Sequence, residues 1–268
     1  MAVIEMTKAQ LACRMERNFI SGYKGSHGIQ TAVFSEDDSI AKLLTGYPVP
    51  WMNCVLRFDA GGKDPNEEVA KVLKGLDQQR CSMYWFVGAL TARPTKLHEA
   101  LKANGLALSG GGYVGMALPA EAYSPTSPPS ELAIKIVDGA KKIREWLEPF
   151  SMCFSAKGLV RSHFFQYGLK NLGDSSKEVW FTAYLDDTPI GTAAYVINCG
   201  VILVHSVATL PAFRRRGYAR AVMEAAISHA LNRVSLPVTL YASAQGLELY
   251  KKVGFSEVYR MTPYLLQR

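Results

Sequence analysis

Apolar residues recur three and four apart in several stretches of this chain and alternate or run together in the stretches between, so it reads as mixed α and β. In the first half, residues 4–21 have a helical pattern with Leu11, Met15 and Phe19 near helical spacing, and 29–34 and 52–58 read as strands. Val69, Val72, Leu73 and Leu76 make one helical stripe over 66–79, and 83–87 is a strand. Residues 94–103 form a helix that opens on Pro94 and stops at Asn104-Gly105. A strand over 112–118 closes the half. The order is cleaner afterwards: a strand at 132–137, helices at 140–154 and 157–169, then strands at 179–185, 190–198 and 201–209. Short turns make the last three antiparallel neighbours. A helix over 217–232 follows, with Val222, Met223, Ala226, Ile227, Ala230 and Leu231 on one face. A strand at 238–241, a helix at 245–253 ended by Gly254, and a strand at 255–260 complete the chain.

Tyr123 to Ser130, Tyr-Ser-Pro-Thr-Ser-Pro-Pro-Ser, breaks this pattern with linker chemistry. The expected organisation is an N-terminal α/β domain over 1–122, a linker over 123–130 and a second domain over 131–268. Residues 188–213 contain no Asp, Glu, Lys or Arg, long enough in principle to span a bilayer. Pro189, Gly191 and Pro211 interrupt the run, it is dense in β-branched residues, and Asn198-Cys199-Gly200 supplies a turn. It therefore reads as two buried strands, with no membrane segment.

Composition agrees with a soluble, core-forming protein: 49% of residues are apolar and 20% charged, which excludes disorder and a disulfide-stapled miniprotein. The five cysteines are scattered, with no C-x-x-C pair, and read as reduced thiols; no metal site is expected. Glu5, Lys8 and Arg14 interrupt the apolar core a signal peptide would need, so a cytoplasmic protein is expected, as a monomer or homodimer.

The formal charge of +7 is local, since 201–268 holds nine Lys or Arg against three Glu. A nucleic-acid surface and a site for one polyanionic cofactor would both carry such an excess. Arg214, Arg215 and Arg216 stand together in a short loop ahead of a helix, which favours the compact anion site and no nucleic-acid partner. The first turn of a helix leaves backbone N–H groups free, and the helix dipole adds about half a positive charge there. Gly217 lets a backbone approach an anion, Ala219 keeps bulk away, and Arg220 adds charge. A basic loop that only caps a surface helix is the alternative. Residues 110–115 also satisfy G-x-G-x-x-G, but no strand-to-helix turn surrounds them, so they read as a hairpin turn.

Residues 207–219, Val-Ala-Thr-Leu-Pro-Ala-Phe-Arg-Arg-Arg-Gly-Tyr-Ala, resemble the acyl-CoA motif of the GCN5-related N-acetyltransferases (GNAT), [Gln/Arg]-x-x-Gly-x-[Gly/Ala]. A second family motif is similar to residues 249–255, Leu-Tyr-Lys-Lys-Val-Gly-Phe. The resemblance covers 131–268 and implies the GNAT fold, an α/β (α+β) arrangement of a mixed, mostly antiparallel sheet flanked by helices. The first half resembles, more weakly, the divergent N-terminal domains of tandem members. By that resemblance the backbone around Val207, Ala208 and Thr209 pairs with the pantetheine arm of acetyl-CoA. Arg214, Arg215, Arg216, Gly217, Tyr218, Ala219 and Arg220 surround its diphosphate. Ser243 and Gly246 stand where the family often has Asn and Ala.

Acetylating a lysine-like amine of pKa about 10.4 at neutral pH costs about 4.6 kcal/mol in deprotonation, so a base is useful. His205 is the candidate, because strand alternation would put it on one face with Val207 and Thr209. A packed strand histidine is the alternative. Tyr250 is the family's usual proton donor to the departing sulfur; its alternative is helix packing beside Leu249 and Val253. His163, His229, Cys153 and Cys199 read as structural. The expected activity is acetyl transfer from acetyl-CoA to a primary amine, of a small molecule or a protein, by direct attack in a ternary complex. The alternative is a non-catalytic acyl-CoA-binding regulatory module.

Overall fold

The computed structural model describes residues 6–24, 32–76, 81–172 and 177–268. The chain forms two compact units, one of 1–115 with 242–245 and 257–268, the other of 116–241 with 246–256.

In the first unit, helix α1 (Lys8–Lys24) precedes three antiparallel strands, β1 (Val33–Glu36), β2 (Ile40–Leu44) and β3 (Asn53–Phe58). The sequence pattern missed β2, where Lys42 interrupts an otherwise apolar run. The strand expected from residue 29 begins outside the described residues, as does the end of the helix expected over 66–79. Helix α2 (Pro65–Gly75) starts on Pro65 with the Asp64 side chain capping the Asn66 N–H. Strand β4 (Met83–Val87) lies parallel to β3, and α3 (Pro94–Ala103) has the predicted bounds. Short β5 (Ala107–Leu108) and β6 (Tyr113–Leu118) follow, with the glycine run of 110–112 as the turn between them. Trp85, fully buried, meets Phe58 edge-on at 5.1 Å and packs with Val55, Val69, Leu97 and Leu101 in the core. The last strand, β12 (Ser256–Leu266), is longer than its pattern suggested and pairs antiparallel with β4 and β5.

The second unit repeats this plan. Strand β7 (Leu132–Ile136) and helices α4 (Gly139–Phe154) and α5 (Leu159–Asn171) lead into antiparallel β8 (Glu178–Leu185), β9 (Thr188–Asn198) and β10 (Val201–Thr209). Helix α6 (Tyr218–Leu231), parallel strand β11 (Val238–Ala242) and α7 (Leu247–Val253) complete it. Helices cover both faces of this sheet. Trp146 of α4 stacks on Trp180 at 4.0 Å, whereas Phe181, the next residue of β8, meets His229 of α6. Neighbouring strand residues point to opposite faces, so α4 and α6 lie on opposite sides. Their buried residues, Ile143, Trp146, Leu147 and Phe150 on α4 and Val222, Met223, Ala226, Ile227 and Ala230 on α6, fall at helical spacing. All five cysteines are free thiols. No helix of the described residues is long and apolar enough to cross a membrane.

Candidate active site

Strand β10 carries the first irregularity of the site. It pairs with β9 residue by residue to His205 opposite Ala194, then resumes with Ala208 opposite Thr192. Ser206 and Val207 thus share the place of one residue, a β-bulge, with Ser206 at φ 54°. Thr192 pins it by donating its hydroxyl to the Ser206 carbonyl at 2.7 Å. The bulge reverses the alternation, so His205 shares a face with Ala208 and not with Thr209, contrary to a simple strand count. On its other edge β10 meets β11 only through Ile202 with Val238 and Leu203 with Thr239. Both strands continue without pairing to each other, and beyond Leu203 the β10 edge presents backbone groups that β11 does not meet.

The chain leaves β10 through a single 3-10 turn at Pro211–Phe213 and enters α6 over Arg215 at φ 65° and Gly217 at φ 83°. The left-handed turn at Gly217 aims the N–H groups of Tyr218, Ala219 and Arg220 out of the helix start, where no intrahelical carbonyl reaches them. The four arginines take different parts. Arg214 donates from Nε to the Thr209 carbonyl at 3.0 Å and so folds the loop onto the strand end. Arg220 donates from Nε to Glu224 at 2.8 Å. Arg215 and Arg216 stay exposed. Tyr218 is buried and its hydroxyl bonds Glu131 at 3.0 Å.

Around His205 the structure assembles a polar cluster. Its Nε2 lies 3.6 Å from Oε1 of Glu178, its Nδ1 is 3.1 Å from the Ser206 hydroxyl, and its side chain is 32% exposed. Glu178 also accepts from Trp180 Nε1 and from the Tyr167 hydroxyl, both at 2.6 Å. The register explains the meeting: Glu178 stands opposite Val196, and Val196 opposite Leu203, two residues before His205 on the same face. Burial lowers the His205 pKa from its ordinary value, and the Glu178 charge opposes that. Burial and the same carboxylate push the Tyr167 phenol up. Sequence reading missed Glu178 and Tyr167. A lone Glu opening a strand carries no spacing signal, and Tyr167, close to Phe164 and Phe165, carries no partner pattern.

Tyr250, on α7, is buried, and burial alone raises its pKa to about 12. Its hydroxyl makes no hydrogen bond among the described residues. Gly246 explains the ring's position, since a Cβ there would fall 2.7 Å from a ring carbon. Ser243 is exposed in the turn that leads to α7. The structure joins His205 to Glu178, Arg214 to Thr209 and Tyr250 to Gly246, while no hydrogen bond links Tyr250 to His205. A cleft of about 550 Å³ in the first unit, between the starts of α2 and α3, offers Lys63, Arg93 and Lys96. There Asp64 accepts from the Asn66 N–H at the start of α2. Among the described residues no cluster of His, Cys, Asp and Glu forms a metal site.

Residues 140–255 match the acetyltransferase (GNAT) family. A GCN5-related N-acetyltransferase from Kribbella flavida superposes with a TM-score of 0.70 at 16% identity, over 94% of each chain. A functionally unknown conserved protein from Staphylococcus epidermidis gives 0.66 at 16% identity, over 90% of this chain and 95% of that one. A tandem GNAT protein from the clavulanic acid biosynthesis pathway gives 0.58 at 12% identity, over 85% and 78%. No curated protein matches the chain in sequence. The fold expected from the motifs, a mixed and mostly antiparallel sheet flanked by helices, is the fold observed, and the resemblance expected for the second half lies where residues 140–255 match the acetyltransferase (GNAT) family model.

Proposed function

We propose that this protein transfers an acetyl group from acetyl-CoA to a primary amine by direct attack within a ternary complex. The observation that carries the proposal is the pairing of β10 with β11 over two residues only, followed by a helix start whose amides stand open beside exposed arginines. A diphosphate suits those amides with Arg215, Arg216 and Arg220, and the unpaired edge at Val207, Ala208 and Thr209 suits the amide-bearing pantetheine arm.

The acceptor amine must lose a proton before attack. A neutral His205, favoured by its lowered pKa, takes it, and Glu178 steadies the imidazolium that results. The amine nitrogen forms its bond to the thioester carbonyl carbon, the C–S bond breaks with its electron pair going to sulfur, and the second proton on nitrogen passes to that sulfur, which leaves the neutral amide and the CoA thiol. Tyr250, raised to about 12, is protonated at neutral pH and holds that sulfur by a hydrogen bond. Full transfer from such a phenol to a thiolate of pKa about 8.5 runs uphill by about 5 kcal/mol, so stabilisation of the thiolate is its main part. The acceptor is a small amine or a protein amine, and the free thiols suit a cytoplasmic setting.

A thiol-release assay with acetyl-CoA against a panel of amines tests the reading. Turnover with one amine class, lowered about tenfold or more in His205→Ala and Tyr250→Phe while CoA still binds, is the expected result. Binding of CoA without turnover on any amine would favour the non-catalytic acyl-CoA module.

A further inference from the structure

The proline-rich segment at 123–131 is laid along α6 and touches it on successive turns. The Tyr123 hydroxyl donates to the Glu224 carbonyl at 2.9 Å and lies 3.0 Å from the Ser228 hydroxyl. Thr126 gives Glu224 Oε2 both its backbone N–H, at 3.1 Å, and its hydroxyl, at 2.6 Å. A Cβ on Gly217 would meet Pro129 at 4.0 Å, and Glu131 receives the Tyr218 hydroxyl. Proline suits such a strap, since its fixed φ lowers the entropy lost on docking.

Glu224 is the junction. It is 3% exposed, with one oxygen on the strap and the other on Arg220 Nε. A buried carboxylate is tolerated only when it is well bonded, and these three donors supply that. The bond through Nε leaves the two terminal NH2 groups of Arg220 for another acceptor. We infer that Glu224 is a positioning residue of the acyl-CoA site: it couples Thr126 of the 123–131 strap to Arg220, so that the Thr126–Glu224 bonds set the guanidinium that receives the diphosphate. The inference rests on the acetyl-CoA reading above.

The test is the acetyl-CoA KM and kcat, together with CoA affinity by calorimetry, for the full chain and for Thr126→Val, Thr126→Ser, Glu224→Gln and Tyr123→Phe. Loss of the charge-assisted bonds raises the acetyl-CoA KM and the CoA Kd by about tenfold in Thr126→Val and Glu224→Gln, with kcat within about twofold. Thr126→Ser, which keeps the hydroxyl, restores both. Tyr123→Phe removes a bond to the α6 backbone and leaves the Thr126–Glu224–Arg220 bonds in place, so it lowers the melting temperature and leaves KM alone. A role in folding only would move melting temperatures and not the ratio of KM to kcat. Unchanged KM and Kd in Thr126→Val and Glu224→Gln, or a Tyr123→Phe that raises KM equally, overturns the inference while leaving the acetyl-CoA reading intact. Failure of the unaltered chain to bind CoA overturns both.

Discussion

Glu178 Oε1 stands 3.6 Å from His205 Nε2 across the intervening strand β9. The carboxylate pulls the imidazole pKa up while burial pulls it down, and burial wins. In the proposed mechanism the base is neutral His205, so kcat/KM is expected to climb as pH rises through a value below the ordinary one of histidine. Glu178→Gln deletes the upward pull and moves that acid limb to lower pH. His205→Ala removes the limb and lowers kcat by about a hundredfold or more. Profiles of kcat/KM from pH 5 to 9 check this, and a limb that ignores Glu178→Gln would separate the two residues.

Tyr250→Phe keeps the ring and deletes the hydroxyl. The expected result is a fall in kcat of about ten- to a hundredfold with CoA affinity preserved. A phenol raised to about 12 also produces no descending limb in kcat between pH 8 and 10, so such a limb belonging to Tyr250 would contradict its burial.

Gly246→Ala tests how the ring is placed. The new methyl meets the Tyr250 ring at 2.7 Å, so ring or helix start must shift at a cost of about 1–3 kcal/mol. Activity drops several-fold with the fold retained, measured as kcat beside the circular dichroism melt.

The arginines separate by role. Arg215→Ala combined with Arg216→Ala weakens CoA binding and flattens its dependence on ionic strength, because both charges are exposed. Arg214→Ala, which frees the Thr209 carbonyl, lowers stability by about 0.5–1.5 kcal/mol instead. Calorimetric titrations at two salt concentrations and thermal melts distinguish them.

In the first unit, Glu16 is fully buried, accepts from the Leu90 N–H at 2.9 Å, and has its pKa raised by burial to about 7. The folded chain holds this proton more tightly than the unfolded one. The stabilisation is therefore complete below the unfolded value of about 4.5 and is lost as pH rises to about 7. Glu16→Gln flattens that decline, seen as melting temperatures between pH 4.5 and 8. An equally steep decline in the variant would acquit Glu16.

Local chemistry wrote much of the plan into the chain. Pro94 and Asn104-Gly105 bounded α3 to the residue, the apolar stripe of 222–231 announced α6, and Arg-x-x-Gly-x-Ala marked the helix start, because propensity and spacing act over a few neighbours. Ladder pairings over long separations left no such mark. Nothing near Ser206 indicates a bulge; Thr192 and the β9 register impose it, and it turns Thr209 away from the face of His205. Nothing near residue 260 tells that the last strand pairs with β4, or near Glu178 that a histidine two strands away will sit on it. Likewise the arginine run looks uniform until Thr209 claims Arg214 and Glu224 claims Arg220. Hydrogen-bond partners and burial belong to pairs of residues, and packing distant segments together is what chooses the pairs.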